Sequence, residues 1–284
     1  MTSTPTRTLG AKQISDTVAS LYVQANRLVP EEMRVAMEAA LAREEAPEGQ
    51  DVLRQLLENY AAAAESELPM CQDTGLAVVM VELGQDVHLE GDLHAAINSG
   101  VRRACAEGYL RTSVVAHPLQ RVNTGDNTPA IIHLELVPGD RLRLLVLPKG
   151  GGSENASALQ MLKPSDGREG VLQFVEERIS TQGVNACPPL IIGVGLGSNF
   201  EGCALLAKRA LLRPIGQPSH NPDDAALEDE LLHRINALGI GPAGYGGTVT
   251  ALAVHLETAP CHIASLPCAV NIQCNAHRRA EAVL

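Results

Sequence analysis

Seven cysteines are spread along the 284-residue chain, and three of them stand where a core cysteine would not. Cys71 lies in Pro69-Met70-Cys71-Gln72-Asp73-Thr74-Gly75, Cys187 in Asn185-Ala186-Cys187-Pro188-Pro189 and Cys274 in Asn271-Ile272-Gln273-Cys274-Asn275. Each is a polar, turn-rich stretch at the end of a strand-like apolar run. Thiolates at strand ends can converge on one inorganic centre, where backbone amides also donate to the sulfurs. The odd number argues against a disulfide framework, and no close pair of zinc-ribbon spacing is present. Cys105, Cys203 and Cys268 sit in apolar or helical surroundings and read as buried, inert thiols, while Cys261 in Pro260-Cys261-His262 fits either reading. Spacing alone does not choose three ligands among seven.

Other residues could serve an anion. Lys149-Gly150-Gly151-Gly152-Ser153-Glu154-Asn155 offers backbone amides beside a lysine. It is not a P-loop, because the lysine precedes the glycines, and a plain flexible loop is the competing reading. Arg111 and Arg121 each carry a fork that suits a carboxylate, or equally a surface ion pair. His262 alone is as consistent with a structural as with a catalytic histidine. Gly193-Val194-Gly195-Leu196-Gly197 follows a strand as a dinucleotide loop would, but no acidic ribose partner stands about 20 residues on.

Elements that would position these residues follow from periodicity. Ile14, Val18, Leu21, Ala25 and Leu28 recur at helical spacing, Pro30-Glu31-Glu32 reads as a fresh helix start, and Leu53, Leu56, Leu57 and Tyr60 continue the pattern. Leu76–Leu83 is a β-type run, and Asp92 is placed to cap a helix from Leu93 to about Glu107. Ile131–Val137 and Arg141–Leu147, joined by Pro138-Gly139-Asp140, are expected to form a hairpin. Later come helices around 170–181, 200–212 and 223–238, and strands around 189–197, 248–256 and 264–272. The expectation is an α+β fold: a helical N-terminal part, then mixed sheets with packed helices. Residues 1–13 are expected to be a flexible tail and 14–284 one domain, with Pro214–Asp224 the most linker-like stretch.

Composition narrows the function. The net charge is −11, which argues against nucleic acid, and an anionic substrate would need cations concentrated in its site. With no Trp, two Phe and four Tyr, stacking on bases is not expected either. No secretory leader and no apolar run of membrane-spanning length is read, so the expected location is cytoplasmic and no membrane partner is expected.

Four segments in this order resemble the class I fumarate hydratases and the L-tartrate dehydratases: Cys71-Gln72-Asp73-Thr74-Gly75, Lys149 to Asn155, Cys187-Pro188-Pro189, and His262-Ile263-Ala264-Ser265-Leu266-Pro267 through Cys274. The resemblance runs from about residue 14 to the last residue and includes the fold of the class I N-terminal domain. It implies a [4Fe–4S] cluster held by Cys71, Cys187 and Cys274, with one iron open to substrate. It further implies that Gln72, Asp73, Arg111 and the Gly151 backbone contact a small dicarboxylate, and that Asp73 and His262 handle protons. The single-chain members continue into a second domain carrying further substrate residues. This chain therefore resembles the alpha subunit of the two-subunit form, completed by a beta subunit in an expected α2β2 assembly. The implied reaction is hydration of fumarate to L-malate, or alternatively dehydration of L-tartrate to oxaloacetate. A reading of another class is a non-catalytic iron–sulfur redox sensor, with Cys261 or Cys268 as a fourth ligand.

Overall fold

In the computed structural model residues 7–284 are described, and their backbone contacts divide them into two compact units. The first unit holds residues 7–30, 60–151 and 278–284, and the second holds 31–59 and 152–277. Both combine helices with mixed sheets, so the fold is α+β.

The first unit begins with strand β1 (Arg7–Gly10) and helix α1 (Ala11–Arg27), and takes in the end of α3 (Pro47–Ser66). Strands β2 (Leu76–Gly84) and β3 (Val87–Glu90), helix α4 (Leu93–Glu107), strands β4 (Ile131–Val137) and β5 (Leu142–Lys149), and the C-terminal β10 (Ala280–Val283) follow. Helix α1 buries Ile14, Val18, Leu21, Tyr22 and Ala25, the stripe its periodicity predicts. Asp92 caps α4 by accepting the Ala95 N–H at 3.0 Å. The two helices pack with Val79, Val81, Leu142, Leu144 and Val146 of the sheet.

That sheet has the order β10-β5-β2-β4, with β2 antiparallel to β5 and parallel to β4. The expected hairpin between β4 and β5 is therefore absent, because β2 lies between them. Pro138-Gly139-Asp140 does turn the chain, but its neighbourhood bonds to the end of β2: Gly84 N–H donates to Arg141 O at 2.8 Å and Asp86 N–H to Gly139 O at 2.9 Å. The run Leu76–Leu83 is apolar on both faces and gains most from an interior position, whereas β4, with Leu134 and Leu136 exposed, takes the edge.

Of the flexible tail expected over 1–13, residues 1–6 lie outside the described residues. Residues 7–13 do not form a tail. Strand β1 pairs in parallel with β3, Leu9 is buried, and α1 starts at Ala11. A short apolar anchor in an otherwise polar stretch left no periodic signal.

The second unit contains α2 (Glu31–Arg43), the start of α3, and the short α5 (Gly151–Asn155), whose first residue belongs to the first unit. It continues through β6 (Ala158–Leu162), α6 (Gly167–Gln182), β7 (Leu190–Ser198), α7 (Phe200–Ala210), α8 (Pro222–Ala237), β8 (Ala251–Cys261) and β9 (Leu266–Gln273). Its sheet order is β6-β9-β7-β8, with β7 parallel to β8 and antiparallel to β9. Helices α6 and α8 cover the face carrying Leu190, Ile192 and Val194, and α7 covers the other. A β-carbon at Gly193 or Gly195 would stand 2.2 Å from a carbonyl oxygen of α7, so the glycine run admits a helix rather than a nucleotide. The linker-like stretch 214–224 lies within this unit and divides nothing.

Glu44, just after α2, holds part of the unit together. Its buried carboxylate accepts N–H bonds from Glu45, Ala46, Thr248 and Val249 at 2.9–3.0 Å. Burial pushes the carboxyl up, but these amides outweigh it and hold the group below its ordinary value. Among the described residues no helix is long and apolar enough to cross a membrane.

Candidate active site

In the first unit the chain leaving α3 passes Met70, whose N–H donates to Asn26 O at 2.9 Å, and turns before entering β2. Asp73 makes the turn: its Oδ1 accepts the Gly75 N–H at 3.1 Å. The Asp73 N–H in turn donates to Cys71 Sγ at 3.4 Å, and the Cys71 thiol faces Gln72 Oε1 at 3.4 Å. Gly75 has φ +76°, and a β-carbon there would stand 2.3 Å from Lys149 O. Only glycine lets this turn lie against the end of β5.

Asp73 gathers the remaining residues. Its Oδ2 accepts the Gly151 N–H at 2.8 Å, and Arg111 Nη2 stands 3.3 Å from Oδ1. The structure thus brings Cys71, Gln72, Asp73, Arg111 and the Gly151 amide together. The glycine segment is not the flexible loop that was the competing reading. Gly151–Asn155 forms a helical turn, Lys149 is buried, and the Gly151 amide is already engaged. In the second unit Arg178 clamps the carbonyls of Asn155, Ala156 and Ser157 at 2.7–3.1 Å, and Lys208 Nζ pairs with both Glu154 oxygens at 2.6 and 2.7 Å.

Sequence reading missed two residues beneath this turn. Asn127 is fully buried; its Nδ2 donates to Gly75 O and Tyr22 Oη, both at 3.0 Å, and its Oδ1 accepts the Ser113 N–H at 2.7 Å. It thereby ties the Arg111 segment to the Cys71–Gly75 turn. Burial pushes the Tyr22 hydroxyl well above its usual range, so it remains neutral and donates to Gly75 O. Arg278 is the second: its Nη1 donates to Asp73 O at 2.6 Å and to Asn26 Oδ1 at 3.0 Å. Asn127 ends the Asn123-Thr124-Gly125-Asp126-Asn127 run, whose density of turn formers was the available signal. Arg121, the alternative arginine, is exposed on the loop between Val114 and Thr124.

In the second unit Cys187 and Cys274 lie at one end of the sheet. Cys187 precedes β7, Cys274 follows β9, and Gln273 is in register with Ile191. Asn275 bonds the Cys187 carbonyl through its backbone N–H at 3.2 Å and its Nδ2 at 2.9 Å. Cys187 itself is exposed and left-handed, with φ 56° and ψ 73°. A side-chain-bearing residue pays about 1 kcal/mol or more for that conformation, which persists where surrounding structure enforces it.

His262 is elsewhere. It follows β8, whose Cys261 is in register with Ser198 at the far end of β7. From Ile191 to Ser198 is about 20–25 Å at the usual strand rise. His262 and Cys274 are close in sequence, but β9 runs the length of the sheet between them. His262 is exposed, and its Nδ1 accepts the Ala264 N–H at 3.1 Å.

The cysteines divide by environment. None is in a disulfide; Cys71 and Cys274 are half-buried and Cys187 and Cys261 exposed. Cys105, Cys203 and Cys268 are buried, and burial pushes the first two thiols up to about 11 and Cys268 higher still. Cys203 donates to Gly195 O at 3.1 Å as a protonated thiol does. Among the described residues no three His, Cys, Asp or Glu side chains close around a single metal ion.

The profile of the family described as fumarate hydratase (fumerase) matches residues 15–283. A Methanocaldococcus jannaschii protein provisionally named L(+)-tartrate dehydratase subunit alpha is 42% identical over 275 residues, 94% of this chain and 96% of the relative. The L(+)-tartrate dehydratase subunit alpha of Escherichia coli UTI89 is 34% identical over 283 residues, and that of strain K12 is 33% identical, each covering 98% of this chain and 93% of the relative.

Proposed function

The chain belongs to the fumarate hydratase (fumerase) family, and from that premise we propose that it is the alpha subunit of an iron–sulfur hydro-lyase acting on a small dicarboxylate. The observation that carries this reading is the Asp73 carboxylate, with the Cys71 thiol, the Arg111 fork and the Gly151 amide gathered on one turn.

Cys71, Cys187 and Cys274 are proposed to hold the [4Fe–4S] cluster. The donor set fits: they are accessible thiols, whereas three of the others are buried and protonated. Each ligand of a cluster binds a different iron, so its thiolates stand wider apart than the donors of a single ion. When bound, such a cluster supplies an open iron that acts as a Lewis acid on a substrate oxygen. Arg111, mostly exposed and held by one 3.3 Å bond, is free to turn its fork to a substrate carboxylate. Gln72 and the backbone at Gly151 orient the substrate, and Asp73 takes or returns the proton at its carboxylate oxygens. His262 stands a sheet length from Cys274 in its own chain, and we propose that a second copy in the expected α2β2 assembly supplies it for proton handling.

The relatives are named as alpha subunits, which supports a separate beta subunit that completes the site. Hydration of fumarate to L-malate remains one candidate reaction. The relatives' names favour the other, dehydration of L-tartrate to oxaloacetate. The redox-sensor reading fares worse: Cys261 lies at the opposite end of the sheet from Cys187 and Cys274, and Cys268 is buried in the core.

The test is anaerobic reconstitution of the alpha–beta complex with iron and sulfide, assayed on fumarate, L-malate and L-tartrate. Turnover of one of these, lost in air and restored by iron and thiol, is expected. Serine at Cys71, Cys187 or Cys274 should abolish the visible absorbance, and serine at Cys203 should leave it. Bleaching by Cys203→Ser with colour retained in Cys187→Ser would overturn the ligand assignment.

A further inference from the structure

Asp73 poses an electrostatic problem for the proposed site. A dicarboxylate must approach a standing carboxylate in a chain of net charge −11. Arg111 cannot neutralise Asp73 and grip the substrate equally well at once.

Arg278 lies where it can relieve this conflict. Only 1% of it is exposed, and both hydrogen bonds of its Nη1 go to neutral oxygens, Asp73 O and Asn26 Oδ1. Its Nε is buried without a partner, and among the described residues it forms no ion pair. A β-carbon placed on Gly150 would stand 3.1 Å from Asp73 Oδ2 and 3.4 Å from Arg278 Nη2, so guanidinium and carboxylate flank the same small gap. Burying a charge without a counter-ion is expensive and persists only where its field is used or the structure enforces it. Arg111 is the opposite kind of cation: its side chain is 59% exposed, with a single long bond to Asp73.

We infer that Arg278 is a positioning residue that holds the main chain of Asp73 and balances its carboxylate from beneath, which leaves Arg111 free to pass from Asp73 to a substrate carboxylate. One guanidinium is fixed and the other transfers. This rests on the proposed hydro-lyase function, since it assigns Arg111 to a dicarboxylate.

Two variants remove the charge in different ways. Arg278→Met deletes it. Asn26→Asp keeps the arginine and its shape but sets a carboxylate at the 3.0 Å contact to Nη1. In the reconstituted alpha–beta complex, each should raise KM for the dicarboxylate that is turned over, and the calorimetric Kd for unreactive succinate, by about tenfold or more, with a smaller change in kcat. Cluster absorbance should be retained, and Arg278→Lys should bind succinate within about threefold of the parent. The inference is overturned if Asn26→Asp binds succinate as the parent does, or if Arg278→Lys loses as much affinity as Arg278→Met. If Arg278→Met does not fold, Asn26→Asp decides. A parent complex that neither turns over nor binds a dicarboxylate refutes the proposed function instead.

Discussion

Asn275 grips the carbonyl of Cys187 twice, through its backbone N–H at 3.2 Å and its side-chain amide at 2.9 Å. The residue after Cys274 is thereby fastened to Cys187 itself, so two candidate ligands from distant parts of the chain share one anchor. Asn275→Ala removes the side-chain half of that anchor. Global stability should fall by only about 1 kcal/mol. Iron bound per chain, measured after anaerobic reconstitution, should fall much further; unchanged iron content would show the anchor to be idle.

Thiol accessibility gives a second prediction. At neutral pH the cluster-free native protein should react with a maleimide at Cys71, Cys187, Cys261 and Cys274. Cys105 and Cys203, with thiols pushed up to about 11 by burial, should react only after unfolding, and Cys268 likewise. With the cluster loaded, Cys261 alone should label. Peptide mapping by mass spectrometry reads the pattern, and protection of Cys261 with labelling of Cys187 in the loaded protein would contradict it.

Asn127→Ala should hurt more than its distance from the sulfur suggests. It leaves the Ser113 N–H without its acceptor, at a cost of about 1–3 kcal/mol, and leaves Gly75 O with Tyr22 Oη as its side-chain donor. The Arg111 segment loses its tie to the Asp73 turn at the same time. Denaturant unfolding should show the lost stability, and KM should rise in the complex. A variant with parental stability would mean that the buried amide is dispensable.

Glu44 makes stability depend on pH. Its folded carboxyl titrates below the ordinary 4.5, so the unfolded chain takes up the proton first as pH falls. The stabilisation is whole above about 4.5 and disappears as pH drops through the folded value. Glu44→Gln should lower stability by about 1–3 kcal/mol at neutral pH and flatten the acid limb of the melting-temperature profile. An unchanged acid limb would assign that limb to other carboxylates.

Local signals were the legible ones. Asp92 and the helix after it could be read because a cap and its helix are neighbours in sequence. So could the apolar stripe of α1 and the strand character of Leu76–Leu83. Pairing was not legible: Pro138-Gly139-Asp140 is a sound turn, yet the partner of both flanking strands, β2, lies about fifty to seventy residues earlier. In the candidate site, Cys71, Asp73 and Arg111 stood out by residue type and motif. Asn127 and Arg278 did not, because each acts on main-chain oxygens remote in sequence, and a sequence carries no mark of which carbonyl will need a donor. His262, whose role came from the family resemblance, stands a sheet length from Cys274 although only twelve residues separate them in sequence.

The first unit is closed by residues 278–284, which return to it only after the second unit has been traversed. In a growing chain β5 therefore has one edge open, and the Asp73 turn lacks its arginine, until Arg278 and β10 have been added. A chain grown only as far as His277 carries all seven cysteines and still lacks the finished scaffold. The scaffold around Asp73 thus closes only after all three candidate ligands have been laid down in the chain.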